Sequence, residues 1–178
     1  MHACNRASIG DFVVLVAGLM TCSIASACAQ QPAAQEAHCV VRHVADGDSF
    51  RCEDGRRVRL IGIDSPELDQ RPFGSQARQA LLDLVPPGTA VKLEHDVALN
   101  DRYGRRLGYA WNGSVLVNEA MVRGGWAVLY TVPPNIKYAE RLRRAQNEAR
   151  TRGAGLWAQN GFACLPQDFR KRTCLSPP

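Results

Sequence analysis

The sequence predicts a mainly β, α+β domain, a small barrel of short strands with about three helices packed against it. Short β-branched runs are cut repeatedly by Asp-Gly, Asn-Gly and Ser-Pro turns. One helical stretch follows the third run, and two more follow the last strands. The 178 residues are 46% hydrophobic and 22% charged, an ordinary globular balance. It excludes collagen-like, coiled-coil and wholly disordered chains, and the length suits one domain, two at most, with a real core.

The elements follow in order. Residues 12–24 are an uncharged apolar run, preceded by Arg6 and followed by the small residues Ala25, Ser26, Ala27 and Ala29. The run is shorter than the ~20 residues of a bilayer span and reads as a secretory signal peptide over residues 1–29, cut after Ala27-Cys28-Ala29. Asp11 beside the run keeps a short membrane anchor as the alternative. No later segment could cross a membrane. Residues 30–37 read as a flexible polar leader, and residues 38–158 as the domain. Strands are expected over residues 38–44, 49–53 and 57–63, the last stopped by Ser65-Pro66, because proline removes a donor and restricts its neighbour. Ala77, Ala80, Leu81 and Leu84 give residues 74–85 a helical spacing. Residues 89–97 alternate as a strand, and residues 105–111 form another that turns at Asn112-Gly113. Residues 117–123 are a short helix. Residues 134–152 are a long one, with Tyr138, Leu142, Ala145 and Ala149 on one stripe and Gly153 or Gly155 as its cap. A cysteine-containing tail occupies residues 159–178.

The net charge is +5, and 19 of the 22 basic residues are arginine. Arginine offers a planar fork suited to phosphate oxygens, so the composition leans towards polyanionic partners, though the excess is small. Of the seven cysteines, Cys4, Cys22 and Cys28 leave with the signal peptide. Cys39, Cys52, Cys164 and Cys174 remain, an even number in a chain bound for an oxidising compartment. Three pairings are open. Cys164 with Cys174 is the local choice and should fasten the tail while leaving catalysis alone. Cys39 with Cys52 needs a hairpin centred near Ala45-Asp46, since a turn centred on Gly47 puts the two out of register. No Cys-x-x-Cys occurs, so zinc and thioredoxin chemistry lack support.

Three polar clusters sit where strands start or stop: Asp46-Gly47-Asp48, Asp64-Ser65-Pro66-Glu67 and Asp101-Arg102-Tyr103-Gly104-Arg105. Each alone reads as a turn or a helix start. Arg59 lies inside an apolar strand and needs a carboxylate or a phosphate there, so a plain salt bridge is an equal reading. Together the clusters supply more. Asp48 and Asp64 are hard carboxylates suited to Ca²⁺. Glu67 is free to take a proton from water. Arg59 and Arg105 can grip phosphodiester oxygens and stabilise the charge of the transition state. These are the parts of metal-assisted phosphodiester hydrolysis. His38, His43 and His95 lie outside the clusters.

With these motifs the chain resembles the staphylococcal nuclease-like, or thermonuclease, family. The match is VADGDS at residues 44–49, VRLIGIDSPE at 58–67, DRYGR at 101–105 and VNEAMVRGGWA at 117–127, in order across residues 39–157. The resemblance implies a five-stranded OB-fold barrel with three helices. It also implies a Ca²⁺-dependent endonuclease acting on DNA and RNA with little sequence preference and leaving 3′-phosphate ends. Asp48 and Asp64 match the calcium carboxylates, and Ser65 a position whose backbone carbonyl also binds the ion. Glu67 matches the general base, and Arg59 and Arg105 the catalytic arginines. Arg102 and Tyr103 match groups that contact a neighbouring phosphate; Leu107 and Tyr130 fall in the nucleotide pocket. Val132 stands near a position where the family often has a second tyrosine.

Two functional classes follow. One is a secreted or periplasmic nuclease, monomeric and free of the membrane once its signal is removed. The other is a non-catalytic OB-fold module that binds oligonucleotides by groove charge and stacking. A silent module has no need of Asp48, Asp64, Glu67, Arg59 and Arg105 together, which favours the nuclease.

Overall fold

The structure, a computed structural model, describes residues 36–174. The expected signal peptide and most of the leader lie outside the described residues, as do residues 175–178. The first strand, β1 (Glu36–Val44), begins inside the stretch expected as leader. Glu36 and Ala37 are strand because β5 (Ala90–Glu94) offers them ladder partners in Glu94 and Leu93.

β2 (Ser49–Cys52), β3 (Arg57–Leu60) and β6 (Arg106–Asn112) complete the barrel. The strands run in the order β3-β2-β1-β5-β6, and parallel pairing of β3 with β6 closes the ring of five. β7 (Val115–Leu116) extends β6 as a hairpin. Four α-helices are described rather than about three: α1 (Phe73–Leu84), α2 (Val117–Arg123), α3 (Ala139–Thr151) and α4 (Pro166–Arg170). The additional one lies in the tail and starts on Pro166, where the missing amide costs nothing. Val41, Val44, Phe50, Val58, Leu60, Leu93 and Tyr109 are fully buried in the core. α1 covers it with Ala77 and Leu81, and α3 with Leu142, Ala145 and Ala149 of the expected stripe. Among the described residues no helix is long and apolar enough to cross a membrane.

Three elements depart from expectation. The apolar run at residues 57–63 is two strands, with β4 (Gly62–Asp64) leaving the barrel to pair with β8 (Val128–Tyr130). The strand expected over residues 89–97 ends at Glu94, where His95 Nδ1 meets the Leu107 carbonyl at 2.6 Å. The helix expected from residue 134 begins at Ala139. The Asn135 side chain clamps Ala98 instead, accepting from its amide at 2.8 Å and donating to its carbonyl at 3.0 Å.

Both disulfides form. Cys164 joins Cys174, with Cα atoms 5.6 Å apart, as expected. Cys39 joins Cys52 although the hairpin is centred on Gly47, with Val44 facing Phe50 and His43 facing Arg51. The register argument against that pair fails because the register shifts between Val41 and His43. Arg42 and His43, two exposed neighbours in an otherwise alternating strand, mark the irregularity. Beyond it Val41 faces Cys52, and Cys39 meets Cys52 on the diagonal at a Cα separation of 5.5 Å.

Candidate active site

The strand break at Ile61-Gly62 builds the first part of the site. Gly62 has φ +80°, and a Cβ there would lie 2.6 Å from Leu142 Cδ1, so the chain can turn here only on glycine. Carbonyls on either side of the break turn towards Arg59. Arg59 gathers them: its Nη1 donates to Leu60 O at 2.6 Å and Ile63 O at 2.9 Å. Its Nη2 lies 3.1 Å from both Asp48 Oδ2 and Asp64 Oδ1. The part-buried arginine therefore has its carboxylate partners, and those partners are the two carboxylates expected to bind an ion.

Asp48 is set by its turn. Its amide donates to Asp46 Oδ1 at 3.0 Å, a local Asx turn, and its own Oδ2 accepts from the Ser65 amide at 2.9 Å. That bond ties the β1–β2 turn to the end of β4. The two segments meet at Gly47, where a Cβ would lie 2.7 Å from the Cβ atoms of Ala77 and Ser65.

Burial raises the Asp48 carboxyl from 3.8 to about 7, against the lowering pull of Arg59. Between those values the folded chain holds a proton that the unfolded chain releases. The contribution of Asp48 to stability is thus fully present below about 4 and is lost as pH rises through about 7. In chelator, the melting temperature of Asp48→Asn should rise relative to wild type on going from about pH 5 to about pH 8. Thermal denaturation at the two values checks this; a pH-independent difference would contradict it.

The opposite wall is the loop at residues 101–105. Asp101 shapes it, accepting from the Tyr103 and Arg105 amides at 2.9 Å each and from Arg105 Nε at 2.6 Å. Partial burial opposes ionisation of Asp101, but these bonds outweigh it and hold the carboxyl below its usual range. Arg102 and Arg105 both lie over the exposed Tyr103 ring, 4.8 and 5.7 Å from its centroid. Arg57, which the sequence reading passed over, braces the loop by donating to the Tyr103 carbonyl at 2.6 Å.

All ten expected site residues line one cleft of about 1020 Å³: Asp48, Arg59, Asp64, Ser65, Glu67, Arg102, Tyr103, Arg105, Leu107 and Tyr130. Val132 lies on its rim with Pro133 and Pro134. The tail, expected only to be fastened by its disulfide, lies there too. Gln167, Arg170 and Lys171 line the cleft, and Arg170 pairs with Asp64 at 2.8 Å and Glu67 at 2.7 Å. Arg170-Lys171-Arg172 is a basic run inside the loop closed by Cys164 and Cys174, but nothing local aims it at the cleft.

Among the described residues no three His, Cys, Asp or Glu side chains gather tightly enough to cage a metal alone. The donors that do converge are hard oxygens, and a guanidinium already sits on two of the carboxylates. That chemistry suits an oxygen-seeking divalent cation completing its shell from backbone carbonyl, water and substrate.

Comparison with known proteins agrees with the geometry. Residues 57–159 match the family model described as staphylococcal nuclease homologue. The chain is 33% identical to a thermonuclease of Staphylococcus hyicus over 132 residues, covering 70% of this chain and 77% of that protein. It is 35% identical to a thermonuclease of Staphylococcus intermedius over 126 residues, covering 66% and 74%. An uncharacterized endonuclease of Haemophilus influenzae is 30% identical over 168 residues, covering 90% and 85%.

Proposed function

The chain belongs to the staphylococcal nuclease homologue family, and we propose that its cleft cuts DNA and RNA in a calcium-dependent hydrolysis that leaves 3′-phosphate ends. Family membership makes the chain an endonuclease and a hydrolase. The observation that carries the finer reading is the convergence of Asp48, Asp64 and Glu67 with Arg59 and Arg105 in one cleft.

Asp48, Asp64 and the Ser65 carbonyl would hold the calcium ion, whose chemistry is Lewis-acid polarisation of a phosphate oxygen. Glu67 takes the proton of the attacking water. Arg59 and Arg105 bind the equatorial oxygens, where charge builds in the transition state. Arg102 and Tyr103 hold a neighbouring phosphate. Leu107 gives an apolar floor and Tyr130 an aromatic face on which any base can stack, so sequence preference is slight. The two disulfides support export to the periplasm or the medium, in line with a signal peptide over residues 1–29. The protein acts as a monomer.

Purified protein is to be incubated with plasmid DNA and with RNA, in calcium or in chelator, and the product ends identified. Cleavage in calcium only, with 3′-phosphate ends, is the expected result. Cleavage unaffected by chelator overturns the calcium reading. Oligonucleotide binding without cleavage in calcium favours the non-catalytic module.

A further inference from the structure

Arg170 is the last residue of α4, inside the loop closed by Cys164 and Cys174. The start of that loop is fixed. Leu165 packs against Val128, Leu156 and Phe162, and Gln70 donates to the Cys164 carbonyl at 3.1 Å. From there the Arg170 guanidinium meets Asp64 with both arms, Nη2 to Oδ2 at 2.8 Å and Nη1 to Oδ1 at 3.1 Å. Nη1 also reaches Glu67 Oε1 at 2.7 Å. Asp64 Oδ1 accepts from Arg59 Nη2 as well, so guanidinium groups engage both Asp64 oxygens and one of Glu67.

We propose that Arg170 is an internal counter-cation of the carboxylate site, held there by the disulfide-closed tail, and that a divalent cation binds Asp64 only as Arg170 leaves. This rests on the cation reading above. A divalent ion takes carboxylate oxygens at ~2.3–2.6 Å, closer than the guanidinium nitrogens now stand. Two positive charges at that spacing repel strongly in a partly buried site. The partners differ in freedom. The Asp64 side chain is 1% exposed and fixed in β4, whereas the Arg170 side chain is 40% exposed and can swing into the open cleft beside Lys171. Its departure also frees the Glu67 carboxylate to take a proton. Arrival of the cation and release of the base are then one event.

Calcium titration calorimetry tests this on the full protein, comparing wild type, Arg170→Ala, Arg170→Lys and the double variant Cys164→Ser/Cys174→Ser. Arg170→Ala should bind calcium ~10-fold or more tightly, since a competing charge is gone. Arg170→Lys should fall between, because lysine keeps the charge without the fork. The double variant should also tighten binding, by less, because the arginine is present but its tether is loosened. Melting temperatures add a second readout. Arg170→Ala should lower the value in chelator and lower it less in saturating calcium, whereas a residue that merely docks the tail would lower both equally. Unchanged or weaker calcium binding by Arg170→Ala overturns the proposal and leaves the cation reading standing. If neither wild type nor any variant binds calcium, the cation reading fails and the proposal falls with it.

Discussion

Arg105→Lys is expected to lower kcat by ~10²–10³-fold at saturating calcium while leaving the melting temperature near that of wild type. The reason lies in what holds Arg105. Its Nε is committed to Asp101 at 2.6 Å, and the residue is partly exposed on the cleft wall. The Asp101 contact orients the guanidinium, and the rest of the fork faces the space where a phosphate would sit. Lysine keeps the charge but offers no paired donors in a plane, so it cannot reproduce contacts that count most when charge builds on phosphorus. Arg59→Lys should lose a comparable rate and stability besides. Arg59 serves Leu60 O, Ile63 O, Asp48 and Asp64 at once, and removing its fork leaves carbonyls and carboxylates short of donors in a buried place. Steady-state kinetics and thermal melts of both variants separate the roles. Near-normal turnover by Arg105→Lys would remove it from the catalytic set.

The contrast between these arginines also marks what could be read from sequence. Arg59 was legible as a charge inside an apolar strand, and Arg105 as the end of the short Asp101–Arg105 motif where a strand starts, places where local pattern and chemistry coincide. The same holds for Asp48, set by the Asx turn its neighbour Asp46 makes. α2 was legible in full, residues 117–123, since apolar spacing and the following Gly124-Gly125 bound it on both sides. The break at Gly62 was not. Arg57 to Leu60 alternate outward and buried, but residues 60–63 are all buried and carry no period to show where the chain leaves one sheet for another. The bulge in β1 was hidden for a related reason: one inserted residue alters the register without altering composition. Arg170 was hidden by distance. It meets Asp64 across 106 residues, and no local pattern encodes such a contact. Arg57 lies 46 residues from the carbonyl it braces, and its position beside a strand start gave no hint of that task.

Glu67→Gln is expected to cost ~10²–10⁴-fold in kcat, because an amide cannot take the proton of the attacking water, while calcium binding is kept and somewhat tightened, because Arg170 loses a charged partner. The substitution is close to isosteric. The side-chain amide oxygen of the variant can still accept from Arg170, as Glu67 Oε1 does. The Glu67 backbone contact, an amide donating to Gln70 Oε1 at 2.9 Å, does not involve the side chain that changes. The loop and the tail should therefore stay in place, and the melting temperature with them. The pH–rate profile is the sharper readout. If Glu67 is the base, the limb that reports its deprotonation vanishes in the variant, and the residual rate follows hydroxide. A different role makes a different forecast. Were Glu67 only a second anchor for Arg170, the uncharged amide would weaken that anchor, ease Arg170 away from Asp64 and tighten calcium binding with little loss of rate. Tighter calcium binding follows from the anchor in either case, so the rate and its pH series on the one variant distinguish a base from an anchor alone. Near-normal turnover with an unchanged profile would place the proton acceptor elsewhere in the cleft.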